Sequence, residues 1–365
     1  MTNKLKEHFP MLRDREELKE IIQKNEKLKF IFENWEGEKQ QEFLDLCTGA
    51  KGLKVMYDPY FKEAANPEYH PERLENFLSI ALKRKVKIRN ILPNDSTRIS
   101  DESSLLITDI IVELEDGSIA NVEIQKIGYY FPGERSACYS ADMLLRQYKR
   151  TRERYGKKFS YYQIKNVYLI VLFERSPKEF KSFPDEYLHH SKQVFDSGLQ
   201  LKLLQEYIMI PLDIFHKTMQ NKSIETPLEA WLTFLSSDNP ERIIELITRF
   251  PEFKPMYETL YQMCRNVEDV MGFFSEELRI LDRNTVKYMI EDQENQLKEQ
   301  EQMLKENELR LMENEIRLKE KEMQLEEKDT QLEEKDAQLE EKDAQLEEKD
   351  AQIQKLMKQL EEYKK

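Results

Sequence analysis

The sequence predicts a mixed α/β (α+β) protein: a central sheet flanked by helices, then a helical appendix, then a long C-terminal coiled-coil helix. Three observations carry that expectation. Two apolar, β-branched runs, Asn166–Glu174 and Glu206–Phe215, have the composition of buried strands, and Leu105–Lys126 has the alternation of a strand pair around a turn. Between and after them apolar residues recur at helical spacing. From Ile290 an apolar residue returns every seventh position through Leu360, which is a heptad column. Four regions are expected: a helical lead-in over 1–50, a sheet-bearing core over 51–220, a helical subdomain over 221–284 and the heptad-repeat tail over 285–365.

Taken in order, residues 11–46 place Leu18, Ile21, Ile22, Leu28, Ile31 and Phe32 near helical spacing. Pro59 and Pro67 mark breaks, and Pro71 is suited to the first turn of a helix from about Glu72 to Arg84. That helix buries Leu74, Phe77, Leu78, Ala81 and Leu82, with Glu75 on the flank of the stripe. An extended segment over Val86–Leu92 leads to the hairpin, whose turn is Glu115, Asp116, Gly117 and Ser118. A long helix follows from about Gly133 to Tyr155, stopped by Gly156. It ends in a basic cluster of Lys149, Arg150, Arg152, Arg154, Lys157 and Lys158, opposed only by Glu153. Within it Arg135 and Tyr139 share a face, as do Asp142 and Arg146, because residues four apart are neighbours on a helix.

The net charge of −14 argues against a polyanionic partner until it is located along the chain. Residues 291–365 hold 25 acids and 14 bases, a net of −11, so the rest of the chain carries only −3. Three scattered cysteines, Cys47, Cys138 and Cys264, form no CxxC pair and read as buried reduced thiols. With no run of about 18 apolar residues and no apolar N-terminal segment, a soluble cytoplasmic protein without membrane contact is expected.

The tail column Ile290, Leu297, Leu304 and onward lacks a second apolar column. Positions three further on are Gln, Asn or Lys up to Lys349, and those four further on are acidic from Glu294 to Asp350. Such a seam is marginal, so the tail is expected to associate weakly, as a homo-oligomer contact through 285–365.

Chemistry concentrates on the hairpin. Asp109 interrupts one apolar strand and Glu123 the other, and Gln125 lies two residues beyond Glu123 on the same face. Carboxylates on adjacent strands suit Mg²⁺, or Mn²⁺ in its place, because hard cations take oxygen ligands together with water and phosphate. Gln125 cannot take up a proton as a neutral lysine can, but it can orient water by hydrogen bonding. Taken alone, the two acids fit a structural ion pair as well as a metal site.

The run TDIIVELEDGSIANVEIQK followed by FPGERSACYSADMLLRQYKR resembles the PD-(D/E)XK nuclease family transposases, relatives of recombination-promoting nucleases. DPYFK at Asp58–Lys62 and LENFLS at Leu74–Ser79 resemble the upstream part of the same pattern, and the resemblance spans roughly residues 50–290. It implies a restriction-endonuclease-like core and a metal-dependent deoxyribonuclease that hydrolyses DNA phosphodiester bonds in recombination. Carried over by motif, Asp109 and Glu123 are the metal-binding acids, Gln125 stands at the usual lysine position, and Glu75 is the acid of the preceding helix. Arg135, Tyr139 and Gln147 match polar positions of the helix after the hairpin; with Arg146 and Arg150 they are the expected substrate-binding residues. The competing reading is a catalytically weak or inactive nuclease-fold protein that binds DNA or acts as a scaffold, self-associating through its coiled coil.

Overall fold

A computed structural model describes residues 4–56, 58–92, 109–127, 133–191 and 193–363. The expected start of the hairpin at Leu105, Leu106 and Ile107 lies outside these residues. The chain divides into two compact units, 1–284 and 285–365.

The first unit opens with helices α1 (Lys4–His8), α2 (Arg15–Lys24), α3 (Glu26–Glu33), α4 (Gly37–Thr48), α5 (Asp58–Ala64) and α6 (Pro71–Ala81). Strands β1 (Ile88–Leu92), β2 (Asp109–Leu114) and β3 (Ile119–Ile127) follow, then α7 (Gly133–Tyr155). After α7 come β4 (Val167–Arg175), β5 (His189–Ser191) and β6 (Gln205–Pro211). Helices α8 (Leu212–Met219), α9 (Pro227–Ser236), α10 (Pro240–Arg249) and α11 (Lys254–Met263) lead into α12 (Val267–Tyr363). Local signals explain the boundaries. Pro71, Pro227 and Pro240 each occupy a first helical turn, where a missing N–H costs nothing. Thr226 and Glu229 form a reciprocal capping box at the start of α9.

The six strands form one mixed sheet in the order β1-β2-β3-β4-β6-β5. The pairs β3-β4 and β4-β6 are parallel and the other three antiparallel. A tight turn joins β2 to β3: Leu114 N–H bonds Ser118 O at 2.8 Å, and Gly117 at φ 86° takes a left-handed conformation that a side chain would strain. The β3-to-β4 connection carries α7, as a parallel pair requires.

Side-chain alternation divides the sheet into two faces. Ile110, Val112 and Leu114 of β2, Ala120, Val122 and Ile124 of β3, and Ile170 and Leu172 of β4 point into the main core. The other face carries Ile111, Ile119, Val167, Leu169, Val171 and Phe173, covered by Met143 of α7 with Tyr139 and Leu144 beside it. The main core runs from Leu5 to Phe274, so the lead-in, the sheet-bearing core and the helical subdomain share one interior. Helical spacing marks which face of each segment is apolar but not which faces meet, and three separate regions in sequence therefore pack as one.

The run expected as a strand over Glu206–Phe215 divides in two. The ladder ends at Pro211, which has no N–H to give, and Leu212, Phe215 and Met219 then bury one face of α8. The short edge strand β5 has no apolar alternation by which to announce itself. Cys47 and Cys264 are buried, and burial pushes both thiols up, Cys264 to about 12; Cys138 on α7 is exposed, contrary to the expectation for all three.

The second unit, described by itself, is helical to Tyr363. Its described column residues Leu297 to Ile353 stand between 53% and 64% exposed. Among the described residues no helix is long and apolar enough to cross a membrane.

Candidate functional site

Asp109 opens β2 and is the Cα partner of Glu123 on β3. Directly opposed antiparallel positions place Cβ atoms about 5 Å apart. Two residues either way along β3 reach the same face, so Asn121, Glu123 and Gln125 form a polar row on the side of the sheet covered by α7. All three are buried, at 1%, 0% and 2% exposure. Three buried polar side chains in a row on one face need hydrogen-bonding partners or a ligand, since burial without either is costly.

The geometry satisfies part of that need. Gln125 donates its Nε2 to Glu123 Oε1, so the residue at the lysine position holds the carboxylate. Asn121 Oδ1 is buried with no hydrogen-bond partner. Asn121 belongs to no motif reading of the sequence, yet it stands two residues before Glu123, and alternation alone includes it. The donors on β3 are therefore a carboxylate and two amides, all with oxygen atoms, which is the chemistry of a hard divalent cation and not of zinc. Among the described residues no three His, Cys, Asp or Glu side chains cluster around a point. The Asp109 side chain lies outside the described set, as does that of Lys126.

Glu75 is placed elsewhere. Lys87 Nζ donates to its Oε2 at 2.6 Å and the Ile88 backbone N–H to its Oε1 at 2.9 Å. Ile88 pairs with Leu114, five residues from Asp109, or about 17 Å along the strand. The carboxylate thus anchors the start of β1, and the structure does not bring it to the Asp109–Glu123 pair. Its flank position on α6 resolves toward a backbone amide and a lysine, a partner choice that spacing within one helix cannot reveal.

Helix α7 distributes the expected substrate contacts between two places. Near its start Arg135 Nη2 donates to Tyr139 Oη at 3.2 Å, and the guanidinium lies 5.5 Å from the tyrosine ring centre. Arg146 is joined to Asp142 at 2.8 Å. Gln147 and Arg150 sit at the turn end of the sheet. Gln147 donates to Gly117 O at 2.7 Å and accepts the Lys165 N–H at 2.9 Å, while Arg150 meets Glu113 Oε2 at 2.7 Å.

Glu113 lies outside the motif that marks Asp109 and Glu123, yet it shares the parity of Asp109 on β2. Its carboxylate takes Arg89 at 3.2 Å, Asn90 at 3.2 Å, Arg150 at 2.7 Å and Arg154 at 2.9 Å. Burial works to raise its pKa, but hydrogen bonds from Arg154 and Asn90 and the charges of Arg150 and Arg154 outweigh it. The carboxyl therefore titrates below its usual range.

A six-stranded mixed sheet flanked by helices, with opposed acids on a hairpin and a helix crossing above them, defines a nuclease-type fold. The profile of the PD-(D/E)XK nuclease family transposases matches residues 56–292, and the chain belongs to that family. No curated protein and no solved structure matches the chain significantly.

Proposed function

We propose that the chain is a DNA endonuclease dependent on a divalent cation, Mg²⁺ or Mn²⁺ in its place, acting in recombination at the Asp109–Glu123 end of the hairpin. The observation that carries this reading is the buried oxygen-rich row Asn121, Glu123 and Gln125 beside Asp109, in a chain of the nuclease family. Asp109 and Glu123 would hold the cation, with Asn121 Oδ1 as a further oxygen donor. When bound, the cation supplies charge stabilisation at phosphate and lowers the pKa of water.

The chain's own residues set the rest of the mechanism. Gln125 fixes one Glu123 oxygen by hydrogen bonding and so orients the carboxylate. As an amide it cannot act as a base, so proton removal from the attacking water falls to a carboxylate or to solvent. Arg135 and Tyr139, coupled on one face of α7, are suited to positioning a phosphate, since a guanidinium matches phosphate oxygens in pairs.

Cleavage of plasmid DNA with and without Mg²⁺ tests the reading: wild type is expected to cut only with the metal, and Asp109→Ala and Glu123→Ala to abolish cutting. Cutting that survives both changes undiminished, or no cutting by wild type, would overturn it. The exposed leucine column favours a second role beside the first, self-association into a homo-oligomer through 285–365.

A further inference from the structure

The turn end of the sheet holds a cavity of about 120 Å³ that the proposed metal chemistry does not use. Four cations line it, Arg89, Arg150, Arg154 and Lys165, against two carboxylates, Glu113 and Asp116. Asp116 is paired with Arg84 at 2.9 Å, outside the lining. Glu113 already receives four donors, which fills the four acceptor positions of a carboxylate, whereas each guanidinium brings five N–H groups. Donors and positive charge are in surplus around a small polar cavity, and the chemistry that balances both is an oxyanion.

We propose that this cavity is a phosphate site that grips a backbone phosphate of DNA at a distance from the Asp109–Glu123 pair; the proposal rests on the nuclease reading above. Glu113 is a positioning residue there, converging three guanidiniums from β1 and α7 on one point. Gln147 braces the wall by bridging Gly117 O and the Lys165 N–H. The surroundings favour nucleic acid over a small phosphate compound. Arg152, Lys157 and Lys158 are exposed nearby in the sequence, and Tyr161 and Tyr162 stand 72% and 95% exposed just beyond. Exposed cations and aromatic rings are the groups that contact a polynucleotide. Glu113 lies four residues from Asp109, about 14 Å along β2, and each base pair of duplex rises 3.4 Å. A duplex running along the strand would be held about four base pairs from the cut.

The test uses the full chain without divalent metal, so that binding is read without cleavage. Duplex affinity is measured across salt concentrations for wild type, Arg89→Ala, Arg154→Ala and the double variant, with Lys4→Ala as a charge control, and inorganic phosphate is titrated in parallel. Each single variant is expected to lower the slope of log affinity against log salt by about 0.9, the value for one lost phosphate contact. The double variant should lower it by about the same amount and not twice as much, because both arginines hold one phosphate. Lys4→Ala should leave the slope as in wild type. A slope unchanged in the double variant overturns the proposal and leaves the cluster an internal ion network. Loss of inorganic phosphate binding with an unchanged DNA slope also overturns it, by assigning the cavity to a free phosphate compound. Should either arginine variant fail to fold, Lys165→Ala, which removes an exposed side chain from the rim, must lower the slope for the proposal to stand. The nuclease reading fails separately, through absent Mg²⁺-dependent cutting while the salt slope behaves as expected.

Discussion

Replacing Glu123 with Gln separates a metal-holding carboxylate from a structural one without any measurement of cleavage. Glu123 is fully buried and opposes Asp109, at positions whose Cβ atoms lie about 5 Å apart. Like charges directly opposite on neighbouring strands are destabilising, and two unit charges about 5 Å apart in an effective dielectric of about 20 repel by about 3 kcal/mol. In the absence of metal the variant removes that repulsion, and its amide oxygen can still accept the Gln125 N–H. The metal-free variant is therefore expected to unfold at or above the wild-type temperature. Metal reverses the order. A cation present at one hundred times its dissociation constant stabilises the wild type by about 2.7 kcal/mol. At about 2 °C per kcal/mol for a unit of this size, that is a rise of about 5 °C. Thermal unfolding with EDTA and then with Mg²⁺ should show this rise in wild type and less than a third of it in Glu123→Gln and in Asp109→Asn. Equal rises in all three proteins would refute the reasoning, as would a metal-free Glu123→Gln that melts several degrees below wild type.

Glu113→Gln is expected to destabilise the first unit by about 1–3 kcal/mol through loss of charge-assisted hydrogen bonds from Arg89, Arg150 and Arg154, and the gap should depend on pH. Because the folded-state pKa of Glu113 is lowered, its contribution is full above the usual carboxylate value of about 4.3 and is lost as pH falls through the lowered value. Urea unfolding at pH 7 and at successively lower pH should show the wild-type advantage shrinking; a gap that widens with acid would contradict the assignment. Gly52→Ala should cost about 1–3 kcal/mol, since the added carbon would meet Ile243 Cδ1 at 2.1 Å and the Asp238 carbonyl oxygen at 3.1 Å. A melting temperature equal to wild type would contradict that steric argument. Truncation after Asn284 should lower the number of chains per particle, read by light scattering as solution mass over chain mass, and leave Mg²⁺-dependent cutting in place; an unchanged number of chains would remove the heptad column as the assembly device.

How much of this was legible in the sequence differs by element for physical reasons. The span of α7 was readable because Gly133 and Gly156 bracket a strongly periodic run, and β4 because nine residues are buried almost throughout. That Asp109 and Glu123 lie on neighbouring strands followed from the short turn, but their direct opposition depends on the loop closing between Leu114 and Ser118; a turn pairing Glu115 with Ser118 would set Asp109 opposite Ile124. Where an interaction crosses between elements distant in sequence, no local pattern announces it. Glu75 is the clear case: its place on α6 was readable, but its partners Lys87 and Ile88 N–H depend on how α6 meets the sheet.

Glu113 shows what alternation offers when applied to every residue and not only to those within a motif. It has the same parity as Asp109, it is an acid on a buried face, and a cluster of arginines follows within fifty residues. Those facts imply that an acid at this position needs cations, because a buried carboxylate without them would be neutralised or expelled. The α7 arginines at 150 and 154 lie four apart, on one face and hence able to converge on one point. The same arithmetic accounts for a surplus: one carboxylate cannot occupy three guanidiniums. A helix that brings two arginines to a carboxylate already held by Arg89 therefore leaves donor capacity at the cavity, and this surplus is the basis of the proposed phosphate site at what is also a structural junction.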